Sequence, residues 1–573
     1  MRPVAEACSS TTAEEPSPAP PAGARADRAL WAHLATLAAV GVLLIVINRN
    51  QWFQGDDWAP IADRWDLSDP QTLLAPHNEH WTTWTILVFR SLYALVGLRH
   101  YLPYMAVTVL LHLAIGHVLW RVAVRSGANR AVATAVTGVF LLSAAGAENL
   151  TWAFQMGFLG ALWLGLEQVL LLDHSGRGWW RDGLAAFAGL AALPWSGIGP
   201  VMVGTGGLVA FVRRGPRRAA LIVAPAALIA LWWYRYFGRH AVHPGPVGTS
   251  PSSLVAYVVR GLTATLGQAA ALPRLGGELL VLLAVVLMAG LLSRERRQWA
   301  LAAALATGAV ALFALTGFTR LATFGVESAA TSRYLYIALA LLLPAVTLAL
   351  SVLARIPGAA LLIAALAVVP MWSGIRVIDA QAQAQAVEEQ RARRQIAAVA
   401  AMVGDRPSPL GNMPLTANLD ETELIRIRGD GALPAVALGP LDRLAALVFL
   451  RITLTADPRL EFGSIPRPEL ARSHAAVLTP SAPGCVAIAA PVDGAWVELQ
   501  FPRPASLRVA VAPAGALYPA LVQGADLIER FRPLPVDGGQ DRYLNVGIPN
   551  ARVRLQGFAG VLTMLCGLAS SQA

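Results

Sequence analysis

Two adjacent aspartates, Asp56 and Asp57, stand in the stretch FQGDDWAPIADRW, just after an apolar run that ends near Ile47. Neighbouring carboxylates do not ionise together without cost, so one pKa of the pair is expected to rise, and either group can act as a base toward a hydroxyl. A structural use competes with this: Asp57 would cap a short interfacial helix containing Pro60, with Trp52, Trp58 and Trp65 at headgroup level. Farther along, LLAPHNEHWTTW brings His77, Glu79 and His80 together. The two histidines, three apart, share a face if the segment is helical. Acid–base work or the orienting of a hydroxyl suits this cluster, and solvated surface histidines are the plain alternative. A divalent metal is the one cofactor it would admit, with ligands borrowed from Asp56 or Asp57, because HNEH is not the HExxH pattern.

A second constellation lies in GAENLTWAFQMGF, where Glu148, Asn149 and Gln155 are polar groups at or near membrane depth. Such groups are expensive there and usually face a cavity. Helix capping by Asn149, with Gln155 bonded to a neighbouring helix, is the structural alternative. NLT also matches the glycosylation sequon, a signal weakened by its place against an apolar run. The third constellation is arginine: Arg235, Arg239 and His243 in WWYRYFGRHAVHP, then Arg320, Glu327 and Arg333 in GFTRLATFGVESAATSRYLY. A guanidinium fork suits phosphate oxygens two at a time, so these are candidates to bind the phosphate of an anionic lipid substrate. Snorkelling to headgroups, or pairing with Glu327, would need no substrate. For Arg333 that account is weaker, because SRYLY runs straight into an apolar span.

The elements that must position these residues are membrane helices. Of 573 residues, 55% are hydrophobic and only 14% charged, against about 25% charged in ordinary soluble proteins. All 45 basic residues are arginine, which excludes Schiff-base chemistry and a P-loop lysine. The net charge of +10 is no sign of nucleic acid, because the arginines fall mainly in short loops between apolar runs and no nucleic-acid motif accompanies them. Spans are expected over roughly 30–48, 102–120, 131–147, 153–172, 219–237, 277–293, 299–317, 334–354 and 357–374, each near the ~20 residues that cross a bilayer. Two short half-spans over 183–212, broken at LPWSGIGP, complete about eleven crossings. The runs 81–98 and 253–272, which contain Arg90 and Arg260, are read as surface-lying or re-entrant helices, because that choice gathers most arginine clusters on the side of the N-terminus.

This parity puts the N-terminus in the cytoplasm and everything after 374 outside, at a multi-pass inner (plasma) membrane. Residues 1–29, rich in Pro, Ala and Ser, read as a disordered cytoplasmic tail. The transmembrane domain covers 30–375 with a first outer loop over 49–101, and a charged Ala/Gln-rich helical linker covers 376–404. Residues 405–573, with short segments such as CVAIAAPVDGAWVELQF set off by Pro, Gly and Asp, read as a β-rich extracytoplasmic domain. Cys485 and Cys566 could pair if that domain is exported, and Cys8 stands apart in the tail.

The acidic pair after the first span, the His/Glu cluster before the second, the EN..W..FQ pattern and the late arginines with SRY at a span entrance together resemble bacterial GT-C-fold glycosyltransferases. These are the polytopic enzymes related to protein O-mannosyltransferases and lipid A aminoarabinose transferases. The resemblance covers residues 30–375 and implies transfer of a sugar from a polyprenyl-phosphate donor to a glycan, lipid or protein acceptor on the outer face. It implies that a first-loop aspartate, Asp56 or Asp57, is the catalytic base and that late-loop arginines hold the donor phosphate. The absence of lysine departs from the O-mannosyltransferases, so arginine must replace any lysine contact to the phosphate.

A lipid-linked polysaccharide polymerase or ligase would also use outer arginines and histidines, but such enzymes keep their chemistry-bearing loop late in the chain. A transporter is the non-enzyme alternative, since a break such as LPWSGIGP resembles a discontinuous helix that binds substrate at the midplane. Charged residues in the middle of spans would favour transport, and the expected spans carry almost none. An assembly protein anchored by its spans would need fewer crossings.

Overall fold

The computed structural model describes residues 22–173, 178–241, 250–410, 414–416, 418–463, 465–524, 526–529, 533–556 and 562–569. Cys8, His243 and most of the expected tail lie outside them. The first helix, α1 (Ala22–Ile47), begins within the stretch read as tail. The first loop then carries α2 (Trp58–Ile61), α3 (Pro70–Leu74) and α4 (Thr83–Val96). The bundle continues with α5 (Leu102–Arg125), α6 (Arg130–Leu141), α7 (Ala147–Thr151), α8 (Met156–Leu172), α9 (Trp179–Ala192), α10 (Ile198–Arg214) and α11 (Pro216–Tyr236). After α12 (Pro251–Ala269) come α13 (Gly276–Leu292), α14 (Arg296–Phe324), α15 (Ser332–Leu353) and α16 (Ala359–Met402). Apolar sequence of this length becomes helix because lipid offers no partner to a free backbone N–H or C=O.

Eight helices among the described residues are long and apolar enough to cross a bilayer, nine if α6 and the residues through α7, bent by 45°, count as one span. The pair expected over 183–212 is present as α9 and α10, joined by a turn at Leu193–Trp195. Of 14 and 17 residues, they reach about 21 and 26 Å at 1.5 Å per residue, somewhat short of a ~30 Å hydrocarbon core. Together these make the architecture a polytopic α-helical membrane bundle, with α8 buried at its centre. Neither α4 nor α12 is among the spans.

Ion pairs mark one end of the bundle. Arg213 meets Asp173 at 2.6 Å, Arg218 meets Asp182 at 3.2 Å and Arg355 meets Glu295 at 3.1 Å. The opposite end holds the first loop, and here the structure corrects two expectations. The loop has an apolar core: Trp52, Phe53, Trp58, Phe89 and Tyr104 are buried together with Leu424, Ile427 and Phe449. The last three belong to α17 (Glu421–Gly429) and α18 (Pro440–Arg451), so part of the region read as β domain packs on the first loop. The tryptophans are accordingly core residues and not a headgroup belt. Trp65 lies between two guanidinium groups, Arg90 and Arg426, each 3.6 Å from the ring centroid, so they must occupy opposite faces. Arg90 therefore ties α4 to α17, which accounts for a charge inside an apolar run.

Linker and last span are one 44-residue helix, α16, with no break at 375. Its buried Glu389 accepts a hydrogen bond from the Trp52 amide at 2.7 Å. Beyond α18 the chain forms β1 (Ile452–Thr455), β2 (Glu469–His474), β3 (Val477–Ala482), β4 (Cys485–Ala489), β5 (Trp496–Phe501), β6 (Ala505–Ala512), β7 (Gly515–Gln523), β8 (Asp526–Glu529), β9 (Leu534–Val536), β10 (Arg542–Val546), β11 (Ala551–Gln556) and β12 (Leu562–Cys566). One sheet runs β1-β10-β6-β12-β4-β3 and the other β2-β5-β11-β7-β8, with β9 on β7. Alternating residues such as Val497, Leu499, Phe501, Leu507 and Val509 fill a shared core, as in a sandwich.

Cys485 and Cys566, directly opposite on β4 and β12, form a disulfide that closes a separation of 81 residues. In the chain-entropy model such a loop contributes about 4.5 kcal/mol. The purified protein is expected to migrate faster on non-reducing than on reducing electrophoresis, and Cys485→Ser should abolish the difference.

Candidate active site

The geometry of the acid pair follows from a tight 3-10 turn over Gly55–Asp57. Gly55 adopts φ +47°, and a Cβ there would approach the Trp152 ring at 3.1 Å. In such a turn successive side chains diverge by about 120°, so the two carboxylates face different surroundings. Asp57 points inward. Its side chain accepts from the amides of Gln54 at 3.0 Å and Phe154 at 3.1 Å and from the Tyr101 hydroxyl at 2.8 Å. It makes no side-chain cap to α2, contrary to the capping expectation. Burial pushes its pKa up to about 7, helped by the charge of Asp56 and opposed by the three donors. Three donors and no acceptor make a socket for a carboxylate, and its work is to join the first loop to the chain before α8.

Asp56 is the one left facing an opening. It shares a cavity of about 140 Å³ with His77, His80, Gln155, Arg320 and Arg333. The cavity is walled by Phe154, Phe158, Trp195 and Tyr334. His77 Nε2 lies 3.4 Å from an Asp56 oxygen, though it has no hydrogen bond of acceptable geometry. The HNEH segment is not helical: His77 and His80 exchange backbone hydrogen bonds of 2.9 Å, closing a turn in which Asn78 takes φ +51°. Asparagine tolerates that region better than most residues. Arg64 holds this turn from behind by donating to the carbonyls of Gln71, Ala75 and Pro76. On the other side Trp233 of α11 stacks on Trp81 at 5.3 Å and donates to the Leu74 carbonyl.

The turn sends its three polar side chains in different directions. Glu79 forms an ion pair with Arg320. Burial works to raise the Glu79 pKa, but His80 and Arg320 more than offset it and hold the group below the usual carboxylate range. His80 Nδ1 accepts from the Gly197 amide at 3.2 Å, which requires an unprotonated Nδ1. Burial lowers its pKa to about 4, with Glu79 opposing, so Arg320 is the cationic partner of Glu79 at pH 7. A base with a depressed folded pKa adds stability that is fully present above its ordinary value near 6.5 and is lost as pH falls through about 4. Thermal unfolding of His80→Gln, which cannot titrate, is expected to lose less stability over that window than the wild type. Equal losses would remove His80 from the acid limb.

Arg333 pairs with Glu148 at 2.9 Å, and Ser332 donates to the Ala145 carbonyl at 3.0 Å, so the start of α15 is anchored to the chain around α7. Each of these arginines spends part of a five-donor fork on one carboxylate. Thr85 Oγ1 and Gln155 Oε1, both in the cavity wall, are buried without a hydrogen-bond partner among the described residues. Buried polar atoms are rarely left so, and a hydroxyl-bearing ligand would satisfy them.

Not every candidate converges here. Arg235 and Arg239 are exposed, the first against Tyr236 and the second against His240, because α11 turns Trp233 toward the HNEH turn and these residues away from it. Asn149 is fully buried, and neither the cavity nor a glycan can reach it as placed; both its side-chain polar atoms lack a partner among the described residues. Residues weighed as metal ligands are divided, Asp57 into its socket and Glu79 onto Arg320, and among the described residues no three His, Cys, Asp or Glu side chains are grouped as a metal would need. Trp195 and Ser196, by contrast, carry no signal in the sequence beyond a helix break. A Cβ on Gly160 would lie 2.3 Å from the Trp195 ring and one on Gly197 2.5 Å from His80, so the small residues of MGFLG and SGIG are what let this tip close the cavity.

Fold and site together define a polytopic membrane protein with an acid, two histidines and two arginines around one small cavity at the end of its bundle. No family model matches the chain, and no curated protein matches it. Among solved structures it is similar to ArnT from Cupriavidus metallidurans bound to undecaprenyl phosphate, at 13% identity over 72% of this chain and 87% of that one, with a TM-score of 0.43. It is also similar to arabinosyltransferase EmbB from Mycobacterium smegmatis, at 14% identity over 97% of this chain and 65% of that one, with a TM-score of 0.29. At these identities and scores the function must be argued from the chemistry of the cavity.

Proposed function

We propose that this chain is a GT-C-type membrane glycosyltransferase that moves a sugar from a polyprenyl-phosphate donor to an acceptor hydroxyl on the outer face, with Asp56 as general base. The observation that carries the reading is the placement of Asp56 in one cavity with Arg320 and Arg333. Base and cation are what direct displacement at an anomeric carbon requires. The acceptor oxygen bonds to that carbon while the bond to the phosphate oxygen breaks; the hydroxyl proton passes to the Asp56 carboxylate, and the polyprenyl phosphate leaves with the electron pair. The free donors of Arg320 and Arg333 meet the charge that grows on the departing phosphate. His77 stands 3.4 Å from Asp56, and the unpartnered Thr85 and Gln155 take sugar hydroxyls. One displacement inverts the anomeric centre. Undecaprenyl phosphate, present in the ArnT structure, is a carrier of the class meant here.

The same residues bear on sidedness. The first loop, the hairpin tip at Trp195 and the late arginines meet at one end, opposite most of the arginine clusters, and the positive-inside rule supports reading that end as the outer one. A disulfide in the sandwich suits that oxidising side. The break at LPWSGIGP forms the tip of a hairpin beside the acid, which favours chemistry there over transport through the midplane. The test is transfer of radiolabel from polyprenyl-phosphate sugars by the purified protein. Label that stays on every carrier offered, with a folded protein, would overturn the reading.

A further inference from the structure

A second and larger opening, about 920 Å³, lies between the exit of α1, the start of α5 and α16. Its lining is mainly apolar, with Trp52, Leu102 and Val387 contributing, and Arg49, Arg99 and Arg393 stand around it. No carboxylate is among its lining residues. The three arginines bond only to neutral acceptors: Arg49 to the Val46 carbonyl, Arg99 to the Gly431 carbonyl and Arg393 to the Gln390 side chain. None of the three forms an ion pair among the described residues, whereas Arg391, on the same helix, is paired with Glu388. Three uncompensated cations beside an apolar surface form a site with a cationic end and a hydrocarbon end.

Its position sets the kind of anion. The α1 span ends at Ile47 and the α5 span starts at Leu102, so the arginines lie where a bilayer changes from acyl chains to headgroups. The groove is separate from the catalytic cavity: Trp52 and Tyr101 stand between them, and the Tyr101 hydroxyl donates a hydrogen bond to Asp57 on the far side. We propose that this groove binds an anionic phospholipid, with the headgroup phosphate on Arg49, Arg99 and Arg393 and the glycerol and upper acyl carbons on the apolar wall. A free phosphate would use the arginines and leave that wall unused, which is why the lipid is the occupant favoured. The inference does not depend on glycosyl transfer.

Native mass spectrometry of the delipidated, detergent-purified full chain would test it, with phosphatidylglycerol, phosphatidylcholine and inorganic phosphate as separate probes. Phosphatidylglycerol is expected to be retained at least about tenfold more strongly than phosphatidylcholine, as charge-assisted hydrogen bonds of this kind allow. Arg49→Gln with Arg99→Gln, both at exposed positions, should remove most of that preference, and Arg393→Gln added to them should remove the rest. Arg391→Gln should leave it intact. Equal retention of the two lipids would overturn the proposal. So would undiminished phosphatidylglycerol binding in the folded double and triple variants, or binding of inorganic phosphate as strong as that of the lipid.

Discussion

Asp56→Asn is expected to lower the rate of sugar transfer by roughly 10²- to 10⁴-fold, the range over which a positioned general base acts, while the protein folds and keeps its donor affinity. Asparagine matches the aspartate in shape and cannot take the acceptor proton, so the loss should appear in kcat and leave KM nearly unchanged. Because Asp56 lies at a partly open cavity wall, the substitution orphans no buried group. Asp57→Asn should behave differently. Its side chain accepts three hydrogen bonds in a closed socket, and an amide there turns a donor toward donors, at about 1–3 kcal/mol for each bond lost. Reduced thermal stability is therefore the expected signature of Asp57→Asn. Transfer at the wild-type rate by a folded Asp56→Asn protein would remove the base assignment, and loss of donor binding in the same variant would shift Asp56 to a binding role.

Arg333→Gln carries the second large effect. An oriented cation aimed at a leaving phosphate acts mainly in the transition state, and removal of one such donor group costs on the order of 10²- to 10³-fold in kcat. Arg333→Lys is expected to recover little of it, since an ammonium cannot serve Glu148 and a phosphate with one planar fork. The substitution also strips Glu148 of its partner, so a stability loss could imitate a catalytic one. The double variant Arg333→Gln with Glu148→Gln separates the two: its unfolding midpoint should return toward the wild type while transfer stays low. Recovery of both together would make Arg333 a structural residue.

Much of the machinery was legible in the chain because residue type and order carried it. Hydropathy marked the spans, short segments set off by Pro, Gly and Asp marked the sandwich, and the acidic pair, the histidines and the late arginines were all visible as polar groups in unlikely places. What misled was local inference about direction. A helical face for His77 and His80 assumed a regular element where Asn78 instead permits a closed turn. Arg235 and Arg239 looked equal to Arg320 and Arg333, yet α11 buries Trp233 against Trp81 and turns them outward. Trp195 and Ser196 looked like a break because their meaning lies in Gly157, Gly160 and His80, which are distant in sequence.

By itself the sequence determined a multi-pass helical protein with lysine-free chemistry, a β-rich C-terminal part and an acid-rich first loop, since span length, turn-residue spacing and residue type are read directly from the order of residues. Only the tertiary structure decided which aspartate is free. Asp56 and Asp57 are chemically identical and adjacent, so nothing in the chain separates them except the turn that points one at Tyr101 and Phe154 and the other at the arginines. The physical reason is that a side chain's work depends on what it faces, and in a bundle that is set by residues far along the chain.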